Sequence, residues 1–293
     1  MPDAPPCPPP ATNPHAPSFA VPALACDCHV HVFGPQSKYP YQSNRSYTPP
    51  DASVRDLRSL HDALGMTRAV IVQASVHGID NSAVLDAVAT DPKRFRGIAA
   101  VAEDVTDHEL LRLHDGGVRG IRVNLVDKGG MPFSSLAELH RMAERIRDMG
   151  WHIELLVHVE ESEEFRHLAR TLPVQISVGH VGYTKGTAGI DHPGYREFLA
   201  LLRDGYCGVK LTGPYRISAR NAYPYDDVVP FVRAVVSAAP DRILWGSDWP
   251  HVLHYKVMPN DGDLLDSLAD WVPGTATRNR ILCENPARLY GFE

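Results

Sequence analysis

The chain has 293 residues, of which 44% are hydrophobic and 22% charged, with a formal net charge of −6. Those proportions describe a globular protein with a sizeable core. An acidic balance without clusters of Lys or Arg excludes a nucleic-acid surface, and no apolar run approaches the roughly 18 residues that a membrane span requires.

Nine prolines fall within the first 22 residues. That stretch lacks the basic start and apolar core of a signal peptide, so residues 1–22 are expected to form a disordered arm, with 23–293 as a single domain. From there short apolar runs alternate with amphipathic stretches. Strands are predicted near 24–32, 68–74, 95–101, 118–124, 151–158, 174–180, 206–212 and 242–248, and helices near 53–64, 80–90, 106–115, 134–149, 160–171, 193–204 and 225–239. The 134–149 stretch is typical: Leu136, Leu139, Met142, Ala143, Ile146 and Met149 recur at helical spacing. Eight strands alternating with helices predict a parallel α/β fold, the (β/α)8 TIM barrel. An open doubly wound sheet would want a Gly-rich phosphate turn after the first strand, and His31-Val-Phe-Gly-Pro35 is not one. The five cysteines, at 7, 26, 28, 207 and 283, have no disulfide or metal-knuckle spacing, and the expected location is cytoplasmic.

In a barrel, functional side chains gather at the carboxyl ends of the strands. Those ends carry His29 and His31, then Gln73, Ser75 and His77, Arg122 and Asn124, His158, His180, Lys210 and Thr212, and Asp248. His29 and His31 are two apart, so in a regular strand both imidazoles share a face while Cys28 and Val30 point away. Burying so many polar groups costs free energy unless each is paired, and Lys210, if inward, is expected to pair with Asp248 or Asp27. Plain structural readings exist as well: His158 as a strand cap, His77 as a turn residue, Arg216 as a solvated loop charge. His29, His31, His180 and Asp248 together are hard to explain as packing.

These residues also carry a resemblance. The words Asp27-Cys-His-Val-His-Val-Phe-Gly-Pro35, Gln73-Ala-Ser-Val-His-Gly-Ile-Asp-Asn81, Gly120-Ile-Arg-Val-Asn124, Trp245-Gly-Ser-Asp-Trp-Pro-His251 and Asn285-Pro-Ala-Arg-Leu-Tyr290 resemble the amidohydrolase-2 branch of the amidohydrolase superfamily, and within it the 2-pyrone-4,6-dicarboxylate lactonases, from about residue 24 to 290. The resemblance implies that Asp248 is a general base and that His29, His31 and His180 polarise a lactone carbonyl. It implies that Arg122 and Arg216 grip substrate carboxylates, with Tyr47, Ser75, His77, Lys128 and Tyr183 as further substrate contacts. Lys128, Leu156 and Tyr183 depart from the arginine, tyrosine and arginine of those lactonases, which points to a different lactone.

The expected activity is therefore hydrolysis of a carboxylate-bearing lactone. The alternatives are a lactone isomerase and a metal-dependent decarboxylase of the same superfamily. No metal is expected; the alternative is one divalent ion, zinc, on His29, His31, His180 and Asp248 with His158 as a further ligand. The expected partner is a small molecule, with neither nucleic acid nor membrane, acting on a monomer or small homo-oligomer.

Overall fold

The computed structural model describes residues 4–126 and 132–293. Eight parallel strands run β1 (Cys26–Val30), β2 (Arg68–Val72), β3 (Phe95–Ala99), β4 (Val118–Asn124), β5 (His152–Leu156), β6 (Ile176–Val178), β7 (Gly208–Leu211) and β8 (Ile243–Trp245), each paired with the next in chain order. The backbone bonds His31 N to Trp249 O and Asp248 N to His29 O, both 2.9 Å, join the last strand's end to the first. The expected TIM barrel is the architecture found.

Helices α1 (Val54–Leu64), α2 (Ser82–Ala89), α3 (Asp107–Asp115), α4 (Leu136–Arg147), α5 (Glu163–Thr171), α6 (Pro193–Arg203), α7 (Val229–Ala238) and α8 (Asp261–Trp271) follow the strands. Local chemistry starts several of them. Ser53 and Asp56 form a reciprocal capping box on α1, while Thr106, Ser135 and Ser162 accept a backbone N–H at the starts of α3, α4 and α5. Helix α8 was absent from the sequence reading. Its apolar residues Leu264, Leu265, Leu268 and Trp271 do recur at helical spacing and are buried, but the acidic start Asp261-Gly-Asp263 hid the pattern. Among the described residues no helix is long and apolar enough to cross a membrane.

One apolar layer fills the space between strands and helices, and a second fills the barrel itself. Cys26, Cys28, Val70, Val72, Ile98 and Leu244 line the interior, and Tyr290 and Phe292 from the C-terminal segment pack among them. Above this floor sits a charged tier: Lys210 Nζ donates to the Glu154 carboxylate and, at 2.7 Å, to Cys28 O. Lys210 therefore pairs with Glu154, not with Asp248 or Asp27 as expected. The reason is geometric: Lys210 and Glu154 both point into the barrel, whereas Asp27 turns toward the seam and α1, where it accepts from Ser247 N at 2.9 Å and faces His61 at 3.4 Å. Burial would raise the Glu154 carboxyl, but Lys210 overrides it and holds it down at about 2.

The described part of the proline-rich segment has no helix, yet it is docked rather than loose. Cys7 N donates to Thr48 O at 2.8 Å, His15 meets Asp263 at 3.0 Å, and Ser18 N donates to Asp266 at 2.6 Å. Backbone groups bonded to the barrel replace the water that would solvate a free arm.

Removing one partner of a buried ion pair strands the other, at a cost of about 3–5 kcal/mol. Glu154→Gln should therefore lower the unfolding free energy by that order in a denaturant titration, and Glu154→Gln with Lys210→Met should recover part of it. A single variant as stable as the parent would show that the Lys210 charge is solvated.

Candidate active site

The site is assembled on the seam between β1 and β8. The register of β1 against β2 shifts between Asp27 and Val30, and such a bulge re-aims side chains. Cys28 and His29, neighbours in sequence, thus both serve the barrel interior; only Val30 faces away as expected. Room for His29 comes from Gly246: a Cβ there would lie 2.7 Å from His29 N and 2.8 Å from His29 Cβ. His180 and Asp248 lie just beyond β6 and β8, at φ 50° and 66° respectively. Left-handed conformations at non-glycine residues cost of order 1–3 kcal/mol each and concentrate at functional sites.

Four residues named from the sequence meet here. The His29 ring lies 5.1 Å from that of His31 and 5.3 Å from that of His180. Asp248 places Oδ1 at 3.8 Å from His29 Nε2 and Oδ2 at 4.0 Å from His180 Nδ1. Its two oxygens differ sharply. Oδ2 accepts from Arg216 Nε at 2.5 Å and from the Tyr215 hydroxyl at 2.7 Å, whereas Oδ1 is buried with no hydrogen-bond partner among the described residues. Burial pushes the Asp248 carboxyl up, but the charge of Arg216 holds it well below the usual carboxylate range.

The imidazoles are kept neutral. Burial, reinforced by Arg122, lowers His31 to about 4. Burial, reinforced by Arg216 and Arg122 against the opposing pull of Asp248, lowers His180 to about 3. Burial and then Lys210 lower His29 well below its ordinary value. Hydrogen bonding sorts their tautomers. His31 Nδ1 is 2.8 Å from Val72 O, an acceptor only, so Nδ1 carries the hydrogen and Nε2 is left with a lone pair. Thr212 Oγ1 accepts from His180 N at 3.1 Å and lies 2.9 Å from His180 Nδ1; a hydroxyl donating there leaves the hydrogen of His180 on Nε2.

Beside this cluster opens a cavity of ≈ 380 Å³, lined among others by Tyr47, Ser75, Arg122, Leu156, Tyr183 and Arg216. Among the described residues three cations line it, Arg122, Arg216 and Lys256, against one carboxylate, Asp248. Arg122 is oriented by a 3.0 Å bond from Nη1 to Gln73 O. His77 does not line this cavity: it is buried between Phe33 and Tyr41. His158 holds the Tyr183 carbonyl at 2.8 Å from Nδ1, which is the strand-cap reading, and neither it nor His31 is grouped with His29, His180 and Asp248 as a ligand. Lys128 lies outside the described residues.

The sequence assigns no role to Tyr215, His251 or the rim residues Leu253, Tyr255 and Lys256, and reads His254 as structural or exposed, whereas it lines the cavity. Tyr215 stands beside Arg216, and His251 closes the Trp-Gly-Ser-Asp-Trp-Pro-His run, so both were adjacent to signals already noted.

His29, His180 and Asp248 can bring their ligand atoms within 4.8 Å of one another. Both His29 ring nitrogens and Asp248 Oδ1 are buried without partners. This nitrogen and carboxylate donor set fits a divalent ion such as zinc.

Residues 26–292 match the family described as amidohydrolases. A 2-pyrone-4,6-dicarboxylate hydrolase of Comamonas testosteroni is 41% identical over 288 residues, covering 95% of this chain and 93% of its own. A 4-sulfomuconolactone hydrolase of Rhizobium radiobacter is 40% identical over 289 residues, covering 98% and 96%. Among solved structures, a probable 2-pyrone-4,6-dicarboxylic acid hydrolase from Acinetobacter baumannii with citric acid bound superposes with a TM-score of 0.78 at 28% identity, covering 92% of this chain and 100% of that one.

Unfolding would release His31 and His180 to the ordinary value of 6.5 from about 4 and about 3. The unfolded state then binds more protons below that pH, so the stability contribution is complete above 6.5 and drains as pH falls toward the folded values. Denaturant titrations should show a loss of about 2 kcal/mol per histidine between pH 6.5 and about 5. A flat profile would mean that folding does not lower the two imidazoles.

Proposed function

The chain belongs to the amidohydrolase family, and we propose that this protein hydrolyses a lactone bearing an anionic group. The observation that carries this reading is the divided role of Asp248: one oxygen is occupied by Arg216 and Tyr215, and the other is buried and free beside the cavity. A water donating one hydrogen to Asp248 Oδ1 and the other to His31 Nε2 would turn its lone pair toward a bound carbonyl carbon. As the C–O bond forms, Asp248 Oδ1 takes the water proton. The oxyanion is met by His180 Nε2–H and the field of Arg122. On collapse the ring C–O bond breaks, and the leaving oxygen recovers the proton from Asp248. The departure from the sequence expectation concerns His31, whose tautomer suits it to hold water and not to donate to the oxyanion.

An anionic substrate is supported by the cavity lining, three cations against one carboxylate among the described residues. A planar guanidinium such as Arg122 suits a carboxylate or sulfonate, in keeping with the dicarboxylate and sulfo groups in the relatives' names. Leu156 supplies an apolar wall to the same cavity, so the substrate need not present a polar group there. All five cysteines are free thiols, which suits a cytoplasmic setting.

A divalent ion would be held by His29, His180 and Asp248 and would supply Lewis-acid polarisation of the carbonyl. We propose that the reaction runs without one. Asp248 already shares its charge with Arg216, and Arg122 adds positive potential at all three histidines. These two cations oppose a third.

In a pH-stat with a panel of lactones, one acid equivalent should appear per ring opened, with anionic lactones preferred over neutral ones. Asp248→Asn should keep its cooperative unfolding and lose roughly 10²- to 10⁴-fold in kcat. Turnover without acid release would make the protein an isomerase, and an active Asp248→Asn would remove the base. Prolonged chelation followed by gel filtration should leave kcat unchanged. Activity lost on chelation and restored by one equivalent of zinc would transfer the polarising role to the ion.

A further inference from the structure

Behind Asp248 runs a chain of buried groups that the reaction as written does not use. The Tyr215 oxygen that donates to Asp248 Oδ2 at 2.7 Å lies 2.9 Å from His251 Nδ1. His251 Nε2 lies 3.1 Å from Asp261 Oδ1. Asp248, His251 and Asp261 are each 0% exposed and Tyr215 is 3% exposed. The chain joins three parts of the fold: the turn after β7, the loop after β8 and the first turn of α8.

The direction of the bonds follows by elimination. Tyr215 owns one hydroxyl hydrogen and gives it to Asp248. His251 Nδ1 must then be the donor to the Tyr215 oxygen, and its Nε2 faces Asp261 Oδ1. The chain is buried beside the ion pair that Asp248 makes with Arg216. His251 reaches its place at φ 61°, a left-handed conformation that needs compensation from its surroundings.

We propose that Tyr215, His251 and Asp261 are positioning residues for hydrolysis, pinning Asp248 by Oδ2 so that Oδ1 alone faces the attacking water. This rests on Asp248 being the general base. Arg216 by itself would leave the carboxylate free to turn about the bond it shares with Oδ2. The tyrosine supplies a second, non-parallel donor, and the histidine and Asp261 fix the tyrosine. Asp261 sits in the first turn of α8, so the orientation of the base is referred to a whole helix.

The test uses the full-length protein with 2-pyrone-4,6-dicarboxylate and 4-sulfomuconolactone as probes. Tyr215→Phe and His251→Gln should each lower kcat roughly 10- to 100-fold, the scale of a misplaced reacting group, with KM changed little. In an Asp248→Asn background, Tyr215→Phe should cost nothing more. Parental kcat in both folded variants, or an equal loss in the Asp248→Asn background, would overturn the proposal. Nitrogen-15 spectra of the histidines supply a readout that needs neither substrate nor turnover: Nδ1 of His251 should carry a hydrogen in the parent, and Tyr215→Phe should alter Nδ1 alone. A bare Nδ1 in the parent would overturn the relay. Full activity of Asp248→Asn would count against the general-base reading, and the spectra would still decide the arrangement of the chain.

Discussion

The barrel closes where its first and last strands meet, and the site depends on that closure. The same backbone groups that join β1 to the end of β8, His31 N to Trp249 O and Asp248 N to His29 O, belong to three of the four residues that form the cluster. Asp27 completes the seam from the side by accepting Ser247 N and His29 N. Gly246 lets the strands approach closely enough for His29 to fit. Closure of the sheet and assembly of the site are therefore one event, and a change that opens the seam should disturb both together.

Polar groups inside the barrel are arranged in tiers that compensate one another. Lys210 and Glu154 neutralise each other below the histidines, and Arg216 neutralises Asp248 above them. The imidazoles in between cannot afford another positive charge, so burial and the surrounding cations keep them neutral. A neutral imidazole has one lone pair and one hydrogen, and its partner decides which of them faces the substrate. Val72 O and Thr212 Oγ1, neither of which lines the cavity, thereby set opposite tautomers on His31 and His180.

The barrel was legible in the sequence because apolar runs and amphipathic stretches record burial directly. His29, His31, His180 and Asp248 were legible because strand ends are the one place where a barrel tolerates unpaired polarity. What the pattern could not give was pairing between strands. The periodicity of β7 says that Lys210 faces inward, but only the assembled barrel shows that Glu154 lies opposite. The bulge in β1 broke the alternation on which the orientation of Cys28 rested. Tyr215, His251 and Asp261 escaped notice for a similar reason: each lies outside the strands, and their connection exists only through side chains.

The cluster and the cavity rim occupy different parts of the molecule. The cluster belongs to the strands and their immediate ends, whereas Leu253, Tyr255 and Lys256 at the cavity rim belong to the loop between β8 and α8. That loop is held from outside the barrel: Cys7 Sγ accepts Leu253 N at 3.3 Å and lies 3.8 Å from the Tyr255 hydroxyl. At the other end of the loop, Asn260 Nδ2 donates to Asn13 O at 2.9 Å. The N-terminal segment thus braces both ends of the stretch that carries the rim, and the same stretch carries His251 toward Asp248. Loops tolerate change better than strands do, so substitutions at Leu253 or Lys256 can reshape the cavity entrance while the seam keeps Asp248 and the imidazoles in place.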